Sequence, residues 1–154
     1  LDKRGVEARL FLVGGAAMAL AYSRERVTRD LDAVFEPKAV IDEEAEALAA
    51  DRGLVSGWLN GAVKGLLPDL SPPVEGSASF STCGLHVGVA SAEYLFAMKA
   101  AAARQETDGG DLRLLVDTLK LTSVDDALEL LARFYSPSRL GIKTQLIIED
   151  LFAE

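Results

Sequence analysis

The sequence predicts an α/β fold, with a small mixed sheet, flanking helices and a helical C-terminal half. Two short apolar runs, 10–13 and 31–35, have the length and the bounding turn residues of strands. An alanine-rich stretch between these runs and an amphipathic stretch at 39–52 indicate helices. After residue 90 the strand patterns stop, and helical patterns follow one another.

Length and composition narrow the class of protein. The chain has 154 residues, the size of one domain, which we divide into a sheet-containing core (1–90) and a helical part (91–154). No apolar run approaches the roughly 20 residues that span a membrane, so we expect no membrane contact. The single cysteine, Cys83, excludes an internal disulfide and suits a reducing cytoplasm, where we expect the protein. We also expect Cys83 to be buried.

The charge of the chain is acidic and uneven. A net charge of −8 argues against a broad, sequence-independent grip on nucleic acid, which depends on neutralising phosphates. The loop before residue 30 is nevertheless basic, with Arg24, Arg26 and Arg29. If a metal-binding site lies next to it, a basic loop of this kind is suited to hold a triphosphate or an RNA end. Solvation and pairing with nearby acids explain each arginine equally well.

The first half of the chain is organised around residues 10–35. Gly14 and Gly15 follow the first strand and open a helix, where backbone amides can approach a phosphate closely. Strand alternation turns Asp30 and Asp32, at the start of the second strand, to the same face. Two close carboxylates repel each other unless a cation lies between them, and Mg²⁺ prefers oxygen ligands. These features together indicate nucleotide chemistry.

The elements that follow are predicted from local signals. Gly53 is expected to end the helix 39–52 as its C-cap. Residues 54–70 are predicted as a short helix interrupted by glycines, in which Trp58 is expected to be a core anchor. Asn60 and Lys64 are candidates to face the cleft. Two strands over 79–90 are expected to flank a turn at Cys83-Gly84.

Helix signals dominate the C-terminal half. Ser91 and Ser123 are expected N-caps of two helices, the second of which spans 124–134. Between these two helices, another helix is predicted to start after Gly109-Gly110, with Asp108 and Asp111 beside its start. A last amphipathic helix is predicted at 142–152, with Leu146 among its buried residues.

The glycine pair and the acids resemble the signature of the polymerase-beta-type nucleotidyltransferase superfamily. In that signature two glycines and a Ser or Thr are followed, after a spacer, by Asp-x-Asp, here Asp30-Leu31-Asp32. The 13 residues between Ala16 and Asp30 fit the long end of the family's spacing. Ala16 departs from the pattern, because it removes the hydroxyl usually present near the phosphates. The segment most resembles the minimal nucleotidyltransferases of the AbiEii/MenT kind, which are toxins of bacterial toxin–antitoxin pairs.

A second segment carries the same resemblance. AbiEii/MenT-like proteins have a helix with an Ala-x-Lys segment, then an Arg, then an Asp-x-x-Asp-Leu run. The matching residues here are Lys99, Arg104, Asp108, Asp111 and Leu112. The family's lysine and later aspartate belong to the active site, which by resemblance assigns that role to Lys99 and Asp111. An alternative without a functional role stays open for both residues. Lys99 would then extend from its apolar helix to solvent, and Asp111 would cap the next helix.

One family feature has no counterpart in the sequence. Many superfamily members carry a third metal-binding carboxylate on a strand in the region of residues 85–90. This chain has His86 and Gly88 on the corresponding face. His86 either approaches the site as a polar group or lies on the sheet without a chemical role.

The resemblance implies a metal-dependent nucleotidyltransferase that moves a nucleoside monophosphate from an NTP to an acceptor. It implies Mg²⁺ or Mn²⁺ as cofactor, held by Asp30 and Asp32. The implied catalytic residues are Asp30, Asp32, Lys99 and Asp111, and the implied nucleotide-binding residues are Gly14, Gly15, Ala16 and Arg29. The implied acceptors are the tRNA 3′ end or a protein hydroxyl, and the implied partner is a cognate antitoxin protein.

Two other interpretations stay open. One keeps the fold and transfers the nucleotide to a small molecule, as antibiotic nucleotidyltransferases do. The other is a catalytically degenerate member that binds a nucleotide or a protein partner. Ala16 and the missing third acid favour the second of these.

Overall fold

The computed structural model describes residues 1–23, 25 and 27–153, apart from the side chains of Asp2, Ala62, Lys64 and residues 105–107. This part of the chain forms a five-stranded mixed sheet and six α-helices, which confirms the predicted α/β class. Arg24 and Arg26 of the basic loop lie outside the described residues. The chain divides into two compact units. The sheet unit comprises Leu1–Gly65 and Glu75–Ala90, and the helical unit comprises Leu66–Val74 and the chain from Ser91 onward.

The sheet unit is built on strands in the order β3-β2-β1-β5-β4. These are β1 (Ala8–Leu12), β2 (Leu31–Glu36), β3 (Leu59–Asn60), β4 (Glu75–Thr82) and β5 (Leu85–Ala90). β1 pairs antiparallel with β2 and parallel with β5, while β3 runs parallel to β2 and β4 antiparallel to β5. Helix α1 (Gly14–Ala21) follows β1, and helix α2 (Lys38–Arg52) follows β2.

Strand register gives the sheet one apolar and one polar face, because successive side chains alternate between faces. The apolar face carries Leu10, Leu12, Ala33, Phe35, Val87 and Val89. The opposite, mainly polar face carries Arg9, Asp32, Glu36, Asn60, Ser79, Ser81 and His86, and also the apolar pair Phe11 and Val34. The predicted separation of the apolar residues of β5 from His86 and Gly88 is therefore confirmed.

The helices of the sheet unit form where the local signals predict them. In α1 the small side chains of Ala16 and Ala17 are buried, as a helix packed closely on other elements requires. Gly53 ends α2 in the left-handed conformation with a φ of 66°, which confirms it as the C-cap. Trp58 is partly buried, and its indole N–H donates to the Ala45 carbonyl of α2 over 3.0 Å.

Three expectations for this unit are corrected. Residues 54–70 do not form an interrupted helix: they contain β3 and the short 3₁₀ helix Ala62–Leu66. Leu59 and Asn60 pair with β2, and glycines disfavour an α-helix across this stretch. β4 begins at Glu75, four residues before the predicted start at Ser79. Cys83 is exposed rather than buried, because it lies in the turn between β4 and β5.

The helical unit contains α3 (Ala92–Ala102), α4 (Gln105–Leu119), α5 (Val124–Ala132) and α6 (Ile142–Leu151). Ser91 accepts a hydrogen bond from the Tyr94 N–H, and Ser123 accepts one from the Asp126 N–H, so both predicted N-caps are confirmed. Leu146 is 58% exposed, contrary to its predicted burial, because Ile147 and Ile148 form the inner face of α6.

Aromatic residues dominate the core of the helical unit. The Tyr94 and Phe134 rings meet edge to face with their centroids 5.8 Å apart. Burial raises the pKa of Tyr94 to about 12 and also raises the pKa of Tyr135. The Tyr135 hydroxyl donates to the Leu66 carbonyl, which attaches the segment Leu66–Val74 to this core. Among the described helices, none is long and apolar enough to cross a membrane.

Candidate functional site

The glycine turn and the acidic strand meet at Gly14 and Asp32 in the sheet unit. Gly14 has a φ of 61°, which L side chains rarely adopt. A Cβ added to Gly14 would lie 2.9 Å from Asp32 Oδ2, closer than real Cβ contacts allow. The Val13 N–H donates to the Asp32 carbonyl over 2.9 Å and joins the end of β1 to the start of β2. Glycine is thus needed at this position both for its backbone and for the space that Asp32 occupies.

Asp32 is held from the other side by Asn60 of β3. Asn60 lies opposite Asp32 in the strand register, and its Nδ2 donates to Asp32 Oδ1 over 2.9 Å. Both side chains are partly buried. The two oxygens of this carboxylate therefore have different surroundings. Oδ1 accepts a hydrogen bond from Asn60, and Oδ2 lies beside Gly14. The sequence names Asn60 only as a candidate for the cleft, because its contact with Asp32 depends on the pairing of β3 with β2.

Asp30 has different surroundings from Asp32. It is exposed and lies in a bend one residue before β2, so the predicted strand alternation does not govern the direction of its side chain. The Thr28 hydroxyl donates to the Asp30 carbonyl over 2.9 Å and lies 3.4 Å from Asp30 Oδ1. Arg29, between them in the chain, is exposed. Thr28 thus shapes the backbone from which Arg29 and Asp30 project.

The start of α1 has the features of an anion site. The first N–H groups of a helix have no intrahelical acceptor and point out of its positive end. Val13 occupies the N-cap position and makes no side-chain capping hydrogen bond. Ala16 is only 2% exposed, so its methyl group packs inside the protein. Gly14, Gly15 and Ala16 can therefore offer a phosphate their backbone but no side-chain donor.

The donor chemistry in the sheet unit fits a hard divalent cation with few protein ligands. Carboxylate oxygens are the ligands that Mg²⁺ prefers, and Mg²⁺ commonly takes one or two from the protein. Asp30 and Asp32 provide that number. Over the described residues, no group of three or more His, Cys, Asp and Glu side chains is arranged to hold a metal ion. Water and substrate phosphates would have to complete the coordination.

The helical unit contains a buried ionic cluster around Lys99. Lys99 Nζ lies 2.7 Å from Asp108 Oδ1 and 2.7 Å from Asp111 Oδ2. All three side chains are almost fully buried, with Lys99 only 5% exposed. Arg104 Nε lies 3.3 Å from Asp108 Oδ2, and its side chain is mostly exposed. Lys99 therefore contacts two carboxylates and does not reach solvent.

Helix geometry explains why both aspartates face Lys99. α4 begins at Gln105, so Asp108 and Asp111 both lie inside the helix, one turn apart on the same face. The predicted start after Gly109-Gly110, with Asp111 as a capping residue, is wrong. Glycine inside a helix costs about 1 kcal/mol relative to alanine, a cost that the ion pairs with Lys99 can offset. The resemblance includes Asp108, but the predicted set of catalytic residues omits it.

Oppositely charged side chains are paired in the buried cluster. Lys99 and Arg104 supply two positive charges against the two carboxylates, so its formal charge is zero. Burying charges is costly unless they are paired and hydrogen-bonded, and here each carboxylate has a cation within 3.3 Å. Such a cluster fixes the geometry of its members.

Gly88, on the strand where the sequence lacks a third acid, is covered by a side chain of β4. The Glu75 side chain of β4 lies directly over Gly88, where an added Cβ would collide with it. Glu75 Oε1 is 3.3 Å from His86 Nε2, and Ser81 Oγ is 2.8 Å from His86 Nδ1. His86 therefore has defined partners on β4.

Comparisons with known proteins do not assign a family. No family model matches the chain, and a search among curated proteins finds no significant match.

Proposed function

We propose that the protein is a metal-dependent nucleotidyltransferase that transfers a nucleoside monophosphate from an NTP to a hydroxyl acceptor. The observation that carries the proposal is the contact between Gly14 and Asp32, because it joins the glycine turn to a carboxylate. The fold we propose is that of polymerase-beta-type nucleotidyltransferases. In the reaction the acceptor oxygen attacks the α-phosphorus, pyrophosphate leaves, and the hydroxyl proton passes to solvent.

The glycine turn would receive the phosphates. The backbone at Gly14, Gly15 and Ala16 would donate to phosphate oxygens at the positive end of α1. Gly14 has no Cβ, which leaves room for the Asp32 carboxylate beside the turn. A phosphate bound at the turn would therefore lie next to that carboxylate. Arg29 is exposed and next to Asp30 in the chain, which suits it to contact a phosphate.

Asp30 and Asp32 would hold Mg²⁺ or Mn²⁺. The ion would supply Lewis-acid stabilisation of the negative charge on the phosphates. Asp32 is positioned for this by its hydrogen bond with Asn60, whereas Asp30 is exposed. Catalysis of this kind depends mostly on positioning and electrostatics, because the protein supplies little covalent chemistry.

By resemblance we assign Lys99 and Asp111 to the active site. Their burial supports a positioning role, in which Lys99 fixes the two carboxylates of α4. The charge of Lys99 is balanced within the cluster, so its contribution is to hold both carboxylates in place at 2.7 Å. We keep Asp108 with them, since its distance to Lys99 equals that of Asp111.

For the biological role we propose the toxin of a bacterial toxin–antitoxin pair. The proposed acceptor is the 3′ end of tRNA or a protein hydroxyl, and the proposed partner is a cognate antitoxin protein encoded next to it. The net charge of −8 suits an enzyme that captures one end of a substrate rather than a long stretch of RNA. Growth arrest on expression, relieved by Asp32→Asn, would support this role over a small-molecule transferase.

A label-transfer assay tests the proposal. Purified protein, Mg²⁺ and each α-labelled NTP are mixed with total tRNA, with cell protein, or with neither. We expect label on one pool, lost in Asp30→Asn and Asp32→Asn. Glu36→Gln is the matched control, because it neutralises another acid on the same strand and the same face as Asp32. Loss of transfer in Glu36→Gln as well would contradict the assigned site.

The degenerate-member interpretation is the second candidate. It is favoured by the burial of Ala16, which leaves no hydroxyl at the phosphates, and by the cover that Glu75 places over Gly88. Metal-dependent binding of an NTP without transfer to any pool would favour this candidate over the enzyme.

A further inference from the structure

A cavity lies in the sheet unit, at the opposite end of β1 from Gly14. Its volume is about 520 Å³, and it is lined by Glu7, Arg9, Glu75, Ser81 and His86 together with neighbouring residues. Arg9 and Ser81 lie on either side of His86 in the strand register. None of these residues has a part in the proposed nucleotidyl transfer.

Three of the lining residues form a hydrogen-bonded chain. Ser81 Oγ lies 2.8 Å from His86 Nδ1, and His86 Nε2 lies 3.3 Å from Glu75 Oε1. An ionised carboxylate only accepts hydrogen bonds, so Glu75 assigns the proton of the neutral imidazole to Nε2. Nδ1 then accepts from the Ser81 hydroxyl. This order of nucleophile, base and orienting carboxylate is the arrangement that activates a serine, with the two ring nitrogens exchanged.

The fold provides specific reasons for this chain. Ser81 and His86 lie directly opposite each other on β4 and β5, on the polar face. The register between β4 and β5 shifts between Glu75 and Ser79, at an irregularity of the β-bulge type. Glu75 reaches back over Gly88 to His86, a path that any Cβ at position 88 would block.

We propose that Ser81 is a nucleophile activated by His86, in a site that accepts small acyl esters. Ser81 Oγ bonds to the acyl carbon, the ester C–O bond breaks, and the Ser81 proton passes through His86 to the leaving alcohol. Water then hydrolyses the acyl-serine and releases the acid. Arg9 lines the same cavity opposite His86 and supplies positive charge for the developing oxyanion. Ser81 is exposed, so an ester from solution can reach it.

Covalent labelling tests the proposal on the full chain. A fluorophosphonate probe bonds to Ser81 Oγ, fluoride leaves, and the proton passes to His86. We expect mass spectrometry to find the label at Ser81, and His86→Gln to slow labelling about 100-fold or more. Ser79→Ala is the matched control, because Ser79 is exposed on the same face of β4 but lies opposite Gly88.

Glu75 acts as a positioning residue and needs a separate readout. We expect Glu75→Gln to slow labelling, and Gly88→Ala to slow it while all three side chains remain present. His86 is the one histidine in the sequence, so ¹⁵N-histidine labelling reports its tautomer alone. In wild type the Nε2–H tautomer should dominate, and Gly88→Ala should shift the population towards Nδ1–H.

Two results would overturn the proposal. One is labelling spread equally over Ser79 and Ser81, and the other is an unchanged rate in a folded His86→Gln variant. Circular dichroism of each variant establishes that it is folded. Neither a nucleotide nor a metal ion enters this experiment, so its failure leaves the nucleotidyltransferase proposal untouched, and the converse also holds.

Discussion

Asn60 Nδ2 donates to Asp32 Oδ1 over 2.9 Å, from a two-residue strand to the residue opposite it in register. This contact gives β3 a role that its length alone does not suggest. Leu59 and Asn60 form the edge of the sheet next to β2, and the amide of Asn60 holds the carboxylate whose other oxygen lies beside Gly14. One hydrogen bond therefore sets the orientation of the carboxylate at the centre of the proposed site.

Replacing Asn60 is expected to weaken the use of Mg²⁺. In Asn60→Leu the Asp32 carboxylate loses the donor that orients it, and changes to such supporting partners typically cost about 10- to 100-fold in metal affinity or activity. The measurement is the Mg²⁺ concentration at which label transfer is half-maximal. Ser56→Ala, which removes a side-chain hydrogen bond elsewhere in the sheet unit, serves as the control. An unchanged Mg²⁺ requirement in Asn60→Leu would deny Asn60 this role.

Gly14→Ala is expected to destabilise the protein more than Gly53→Ala. Both glycines have a positive φ, 61° and 66°, where an L residue costs roughly 1–2 kcal/mol. A Cβ on Gly53 meets nothing within 4 Å, whereas a Cβ on Gly14 collides with Asp32. Chemical denaturation of both variants measures the difference in the free energy of unfolding.

The same comparison in an Asp32→Ala background isolates the collision. Removing the carboxylate leaves only the backbone strain at Gly14, so the two glycine substitutions should then cost nearly the same. A double-mutant cycle gives the coupling between positions 14 and 32. If the gap between the glycine variants persists without the Asp32 side chain, the collision is not its cause.

The sequence predicted elements whose signals are local. Ser91, Ser123 and Gly53 act as caps through contacts within a few residues, and the Cys83-Gly84 turn is bounded by two clear strand patterns. β3 was missed because two residues carry no recognisable pattern, and they form a strand only by pairing with β2. The start of α4 was predicted too late because Gly109 and Gly110 resemble a helix boundary. The helix continues through both glycines, and Asp108 and Asp111, on either side of them, form ion pairs with Lys99 of α3.

The candidate site shows the same difference between features with local signals and features that depend on strand pairing. The sequence predicted a glycine turn at Gly14 and an acidic motif at Asp32 from the motifs and their spacing along the chain. The structure brings these two residues into contact. The contacts of Asn60 with Asp32 and of Glu75 with His86 depend on strand register and on a bulge between Glu75 and Ser79, which sequence spacing does not encode. Asp108, which the resemblance included but the predicted catalytic set omitted, could have been added to that set from its one-turn spacing to Asp111 on a helix.

Lys99→Met is expected to lower the free energy of unfolding by about 3–5 kcal/mol, because it leaves two buried carboxylates without their shared cation. Denaturant unfolding measures the loss. Lys143→Met is the control, since Lys143 is exposed on α6 and its replacement should change stability by at most about 0.5 kcal/mol.

Neutralising the carboxylates should restore much of the stability lost in Lys99→Met. Adding Asp108→Asn and Asp111→Asn to that variant removes the uncompensated charge while keeping side-chain shape. A triple variant no more stable than Lys99→Met alone would show that packing, rather than charge, determines the loss. Loss of label transfer in a stable triple variant would support a site role for this cluster beyond stability.

Stability in acid is expected to depend on Asp126. The hydroxyl and the backbone N–H of Thr122 donate to Asp126 Oδ2, and these hydrogen bonds lower the pKa of Asp126 below its usual value. The unfolded chain, with an Asp pKa of about 3.9, then binds more protons than the folded chain at that pH. The contribution of Asp126 is therefore fully present above roughly pH 4 and is lost as the pH falls through the lower folded pKa.

Unfolding measured between neutral pH and strong acid checks this sign. The stability difference between wild type and Asp126→Asn should be constant at neutral pH and shrink below roughly pH 4, because protonated Asp126 loses the advantage over asparagine. Asp125→Asn is the matched control, since it removes one charge from the same helical turn at a side chain that does not accept from Thr122. A difference that grows on acidification would reverse the assigned direction of the Asp126 pKa and contradict the role of Thr122 in the cap of α5.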